Sequence, residues 1–313
     1  MSLTLIRTLL LLGVATNAQE KWPEAVREIR IPSTADGEIQ PALFYAPDRE
    51  EKKPLLVALH TWSGDYLQDS SIPYAQWCIE KEWVFIHPNF RGPNRAPQAT
   101  GSDLAVQDVL DAVEYTKKNA SVDEDRIYLI GVSGGGYMSL LMAGRAPEVW
   151  AGVSAWIPLT DLKQWHIDSV EAGREYAQDI VASVGGDPTK DPAAAEECRK
   201  RSPLTYLDAA KSVPIDINAG IHDGHTGSIP IRHSLEAFNL LADPKDRISE
   251  AEIDYMVEKE QIPPDLQVEV EEDPLYGEKK VLFRRESNNV RITLFEGGHE
   301  IIFEAGLTWL DNR

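Results

Sequence analysis

The chain has 313 residues, 42% of them hydrophobic, and a formal net charge of −20. That length suits one large single-core domain or two small ones. So acidic a surface repels phosphate backbones, which proteins bind by neutralising them with Lys and Arg, so nucleic acid and anionic membranes are poor partners. In chain order, residues 1–18 read as a secretory signal. Arg7 is its positive end, residues 8–15 its apolar stretch and Thr16-Asn17-Ala18 a small-residue cleavage site. The apolar run is shorter than the ~20 residues a bilayer requires. The expectation is a mature chain over residues 19–313, secreted or periplasmic, with no membrane insertion. Cys78 and Cys198, the two cysteines, could pair in an oxidising compartment or stay as buried thiols. They make no zinc site alone, and no cofactor is expected.

Residues 26–31 and 40–46 predict an antiparallel strand pair around a turn at Ala35-Asp36-Gly37. Buried strands follow at 55–60, 83–87, 126–131, 150–155, 215–220 and 290–295. Between them lie helix patterns, clearest at 102–118, where Leu104, Val109, Ala112, Val113 and Thr116 share one face and Gln107, Asp111, Glu114 and Lys118 the other. This alternation predicts an α/β fold with a mainly parallel sheet and flanking helices. Residues 157–213 exceed what a crossover needs and predict a helical cap insertion over the strand ends. Residues 246–289 form a second, acid-rich insertion, ending in a hairpin of 280–285 with 290–295.

Residues 129–136, Leu-Ile-Gly-Val-Ser-Gly-Gly-Gly, join an aliphatic run to a helix-prone one. Strand, Gly-x-Ser-x-Gly, helix is the signature of a nucleophile elbow, in which a sharp turn lifts the serine hydroxyl out of the sheet. Gly131 and Gly135 supply the small residues such a turn demands. Ser133 would need a base near neutrality, itself oriented by a carboxylate. His299, in Gly297-Gly298-His299 after the last predicted strand, is the candidate base. Of the other histidines, His60 and His87 end earlier strands, His166 lies in the cap and His233 begins a helix. His222 and His225 flank the candidate acid but lack a third ligand at metal-site spacing. That acid is Asp223, directly after strand 215–220; Asp216 inside that strand and Asp161 after the strand nearer the elbow remain rivals. Two N–H donors must face the oxyanion: Gly134, and a second from the loop after strand 55–60, where Trp62 is preferred and Thr61 held in reserve.

Several ordered motifs carry a family resemblance. Asn89-Phe90-Arg91-Gly92, Asp108-Val109-Leu110-Asp111-Ala112, the stretch Gly131 to Met138, Ala151-Gly152-Val153-Ser154 with Thr160-Asp161, Gly220-Ile221-His222-Asp223 and Gly298-His299 together resemble the catalytic α/β-hydrolase domain of the prolyl oligopeptidase family. The resemblance implies an α/β-hydrolase fold with a serine nucleophile. Departures accompany it. Ala219 stands where the family usually has His, and residues 224–230 lengthen the segment after the acid. Gly134 replaces an aromatic, and Trp62 occupies a loop where oligopeptidases often place a tyrosine. Only a short segment precedes the first strand, so the family's gating β-propeller is not expected, and peptidase activity does not carry over.

The leading expectation is an exported hydrolase of carboxylic esters working through an acyl-enzyme. Its substrate would be a small-molecule or oligosaccharide ester, with Trp62, Trp156 and Trp165 near strand ends as surfaces on which a sugar could stack. The alternative is a peptidase or aminopeptidase-like enzyme for short peptides, with Asp161, Asp168 or Glu171 meeting a free amino terminus. A third class, a hydrolase fold used only for binding, conflicts with three filled triad positions. Oligomeric state is not legible.

Overall fold

The computed structural model describes residues 21–267 and 272–313; the expected signal segment lies outside them. Its strands are β1 (Arg27–Pro32), β2 (Ile39–Tyr45), β3 (Lys53–Leu59), β4 (Val84–Pro88), β5 (Val122–Val132), β6 (Gly152–Trp156), β7 (Ile215–Gly220), β8 (Val281–Ser287) and β9 (Val290–Phe295). They form one sheet in the order β1-β2-β4-β3-β5-β6-β7-β9-β8. Neighbours from β4 to β9 run parallel, while β1 on β2, β2 on β4 and β8 on β9 are antiparallel. This is the α/β-hydrolase architecture expected from the strand-helix alternation, and the 280–295 hairpin is β8–β9.

The helices are α1 (Ile72–Lys81), α2 (Asp103–Asn119), α3 (Gly134–Arg145), α4 (Leu162–Glu171), α5 (Tyr176–Val184), α6 (Pro192–Lys200), α7 (Arg232–Leu241), α8 (Glu250–Lys259) and α9 (Phe303–Asp311). No helix among the described residues is long and apolar enough to cross a membrane. Period-two alternation divides the core. Leu55, Val57 and Leu59 of β3 belong to the core layer that includes residues of α2, α3 and α7, whereas Leu56 and Ala58 belong to the layer with α1 and α9. Cys78 lies in the α1–α9 layer and Cys198 in the opposite one. The sheet separates them, and both are free, buried thiols. Burial raises both thiol pKa values, that of Cys198 to about 12.

Ser102 caps α2 through its hydroxyl, which accepts from Ala105 N–H. One expectation for that helix fails: Asp111, assigned to the solvent face, is buried. Its carboxylate accepts from Thr34 N–H (2.7 Å) and Thr34 Oγ1 (2.8 Å) in the β1–β2 hairpin. Asp108, three residues earlier, takes the buried Arg91 guanidinium at 2.5 Å, and Asp36 and Glu38 share that guanidinium. Both aspartates of the Asp-x-x-Asp-Ala segment thus tie sheet edge, helix and the Asn89–Gly92 turn together. Residues 157–213 contain α4, α5 and α6, which pack on one another. Trp165 of α4 reaches Trp62, their ring centroids 4.7 Å apart, and stacks on Tyr176 at 4.9 Å.

Candidate active site

Ser133 sits between β5 and α3 with φ 58° and ψ −120°, a sparsely populated conformation that persists only where surroundings enforce it. Those surroundings are backbone. A Cβ on Gly131 would lie 2.4 Å from Gly135 C and O, and one on Gly135 would lie 2.3 Å from Leu59 O. Ser133 N–H donates to Trp156 O at 2.8 Å, fastening the turn to β6. The elbow is therefore as tight as its sequence demands.

The loops after β7 and β9 meet through their glycines. A Cβ on Gly220 would fall 2.3 Å from Gly298 O, and His222 N–H donates to Gly297 O at 3.0 Å. This contact brings His299 Nδ1 to 2.7 Å from Asp223 Oδ2. A carboxylate oxygen only accepts, so Nδ1 carries the proton and Nε2 is left as a base. The Asp223 carboxylate is buried; its other oxygen accepts from Gly224 N–H (2.8 Å) and Ile229 N–H (3.2 Å).

Neither rival acid approaches His299. Asp161 is the N-cap of α4, accepting from Lys163 N–H and Gln164 N–H, and it borders a separate hollow of about 680 Å³ with α6 residues. Asp216 is fully buried within β7 and binds Arg291 Nε and Asn218 Nδ2, each at 2.7 Å.

Ser133 and His299 line one cleft of about 570 Å³ with Thr61, Trp62, Tyr176 and Phe303. Gly134 abuts the loop after β3: a Cβ there would lie 2.2 Å from Trp62 N. The Gly134 and Trp62 amides are thus neighbours beside the nucleophile. Thr61, the reserve, has its N–H donated to Gln68 Oε1 at 3.0 Å. No acceptor among the described residues takes Trp62 N–H. Trp62 O accepts from Asn94 N–H (2.8 Å) and its indole N–H donates to Asp179 (3.0 Å), fixing the strip at both ends. His60 anchors its start, packed flat on Phe90 at 3.8 Å and bonded to Asn89 O at 2.8 Å. Burial lowers the His60 pKa, as it lowers that of His87, to about 3.

Two expected substrate contacts are corrected. Trp156 is wholly buried on the α9 side of β6, its indole N–H on Ser154 Oγ at 2.9 Å and its rings among Tyr276 and Phe295. Only its carbonyl serves the elbow. Trp165 is 1% exposed and donates its indole N–H to Ser228 O at 2.9 Å; it backs Trp62 and Tyr176 and offers no open face. The aromatic rings with partial exposure on the cleft are instead Tyr176 and Phe303, beside Trp62, which at 3% exposed is almost as buried as Trp165. Gln68, Asn94, Tyr176 and Phe303 carried no motif signal, because each acts from a loop or helix end brought in by tertiary contacts. Among the described residues no group of three or more His, Cys, Asp and Glu side chains is placed to hold a metal ion, and His222 is engaged by carboxylates instead. Its two ring nitrogens face Glu260 Oε2 (2.7 Å) and Glu296 Oε1 (2.5 Å).

A strained serine at a strand-to-helix turn, beside a His–Asp pair on later loops, defines a hydrolase site of the serine type in an α/β-hydrolase fold. The prolyl oligopeptidase family model matches residues 71–260, more than half of the chain, and the chain belongs to that family. Acylamino-acid-releasing enzyme from Mus musculus is 27% identical over 145 residues, 44% of this chain and 18% of that protein. Feruloyl esterase B from Thermothelomyces thermophilus is 27% identical over 118 residues, 34% of this chain and 40% of that protein. Among solved structures, the Pyrococcus horikoshii acylaminoacyl peptidase aligns with TM-score 0.56 and 20% identity, covering 69% of this chain and 34% of that one. A puromycin-hydrolyzing peptidase of Mycobacterium tuberculosis aligns with TM-score 0.58 and 15% identity, covering 92% and 38%. The chain thus spans less than half the length of each of these relatives. At such identities the structural likeness speaks to fold alone.

Proposed function

We propose that this serine hydrolase is an exported esterase that cleaves a carboxylic ester through an acyl-enzyme. Ser133 Oγ attacks the carbonyl carbon while His299 Nε2 takes its proton. Asp223 stabilises the imidazolium, and the Gly134 and Trp62 amides hold the oxyanion. Collapse of the tetrahedral intermediate breaks the ester bond, and the departing alcohol takes the proton from His299. Water, deprotonated by the same histidine, then attacks the acyl carbonyl; the second tetrahedral intermediate breaks its bond to Ser133 Oγ, which takes the proton from the imidazolium as the carboxylic acid leaves.

The observation that carries the reading is the 2.7 Å His299–Asp223 bond opening on the same cleft as the strained Ser133. Support for an ester over a peptide comes from the carboxylates nominated to meet an amino terminus. Asp161 caps a helix, Asp168 engages Gln164 at 2.9 Å, and Glu171 is exposed on α4. None of the three borders the cleft. An acylated carbohydrate or aromatic acyl ester fits the half-buried Tyr176 and Phe303 rings on the cleft. The competing reading, a peptidase for short peptides, draws on Asp69 and Glu300, which do border the cleft. The deciding experiment offers the purified protein nitrophenyl esters, acetylated and feruloylated sugars and aminoacyl anilides, with fluorophosphonate labelling alongside. Ester turnover should dominate and vanish in Ser133→Ala; anilide turnover exceeding every ester would overturn the esterase reading. The mature N-terminus of protein secreted by an expressing host should be residue 19, and a chain retained inside with Met1 intact would refute export.

A further inference from the structure

The segment after the acid, residues 224–230, is longer than the family resemblance implies, and it forms a cover over the His–Asp pair. Gly227 lies directly on that pair: a Cβ there would stand 2.0 Å from Asp223 Oδ1 and 2.6 Å from His299 Cβ. The two amides that hold Asp223 Oδ1, those of Gly224 and Ile229, belong to the cover itself, at its start and near its end. Where this segment sits therefore decides where the carboxylate points.

A side chain from the 157–213 insertion grips it. Arg174, between α4 and α5, donates from Nη2 to Gly227 O (2.6 Å) and Gly224 O (3.2 Å) and from Nη1 to Ser228 O (3.2 Å). Trp165 adds its indole N–H to the same Ser228 carbonyl. Among the described residues no carboxylate pairs with Arg174. A half-buried guanidinium that spends its donors on three carbonyls of one five-residue stretch acts as a planar clamp, a task its rigid fork suits and a lysine ammonium does not. Arg174 lies outside the cleft lining.

We propose that Arg174 is a positioning residue for the reaction: it holds residues 224–228 down over Asp223 and His299, keeping the carboxylate aimed and water away from the bond between them. The proposal rests on the Ser133–His299–Asp223 site described above. Methionine at 174 would retain much of the volume and release all three carbonyls. The cover would lift, the Gly224 and Ile229 amides would shift with it, and the carboxylate would turn.

The test compares the parent with Arg174→Met and Arg174→Lys on the best nitrophenyl ester, with thermal unfolding as a check on folding. A misaimed orienting group acts in the transition state, so kcat should fall about 10- to 100-fold while KM stays within about threefold. Lysine, able to reach one carbonyl at a time, should fall between parent and methionine, and it keeps the test open if Arg174→Met does not fold. Proton NMR supplies a readout independent of turnover. The downfield His299 Nδ1–H signal should be visible in the parent and broadened by solvent exchange in the variant. An unchanged kcat in a folded variant, a loss confined to KM, or an unaltered Nδ1–H signal would each overturn the role. Parent activity that survives Ser133→Ala counts against the site itself, whereas Ser133-dependent activity that Arg174→Met leaves intact counts against Arg174 alone.

Discussion

Alanine at 134 tests the oxyanion site with a single methyl group. Its Cβ would stand 2.2 Å from Trp62 N and 2.5 Å from Trp62 Cα, whereas ordinary contact begins at 3.4 Å. Both atoms are main chain, so no side chain can rotate away. Trp62 must retreat by on the order of 1 Å, although Asn94 N–H grips its carbonyl at 2.8 Å. A retreat of that size takes an N–H donor from about 2.9 Å to about 4 Å from an oxyanion, beyond hydrogen-bonding range. Losing one such donor costs about 10²- to 10³-fold in kcat, or about 2.7–4 kcal/mol of transition-state stabilisation. Overpacking should also lower folding stability by about 1–3 kcal/mol. Steady-state kinetics of Gly134→Ala on a nitrophenyl ester, below its unfolding temperature, should show the loss in kcat with KM little changed. A folded variant with kcat within about threefold of the parent would refute the assignment of the Trp62 and Gly134 amides to the oxyanion.

Asp223→Asn should fold and lose roughly 10²- to 10⁴-fold in kcat, because an amide can favour the wrong imidazole tautomer; Asp161→Asn, whose amide oxygen can still cap α4, should leave both stability and kcat near parent. The reverse pattern would place the acid elsewhere. His222 bridges Glu296 and Glu260 through both ring nitrogens, an arrangement that requires the imidazolium, and these carboxylates raise its pKa. Its contribution to stability should therefore be complete below the unfolded value of about 6.5 and be lost as pH rises through the higher folded value. Melting temperatures of parent and His222→Gln should differ more at about pH 6 than at about pH 9, and a pH-independent difference would discard the bridge. Cys78 and Cys198, on opposite sides of the sheet, should both alkylate in denaturant without reductant; an intact mass lighter by two hydrogen atoms would reveal a disulfide and contradict the packing.

Much of the site was legible from local pattern. Gly131, Ser133 and Gly135 read as an elbow because strand, tight turn and helix are set by neighbouring residues, and the steric demand on those glycines is local. The order of acid then histidine is what a nucleophile elbow implies for such hydrolases, and hydrophobic runs ending at loops supplied the places after β7 and β9. What the sequence left open was decided by contacts between distant segments. Asp161 and Asp223 follow strands and Asp216 lies inside one, and only the Gly220–Gly298 contact shows which one meets His299. Trp156 and Trp165 stand near strand ends in the sequence, yet α9 covers one and the Ser228 carbonyl fixes the other inside the protein. A residue's position along a strand says how near the site it lies, but its access depends on what packs over it. The clamp of Arg174 on residues 224–228 joins positions about 50 apart, a distance over which composition and periodicity carry no signal and only the folded chain sets the geometry.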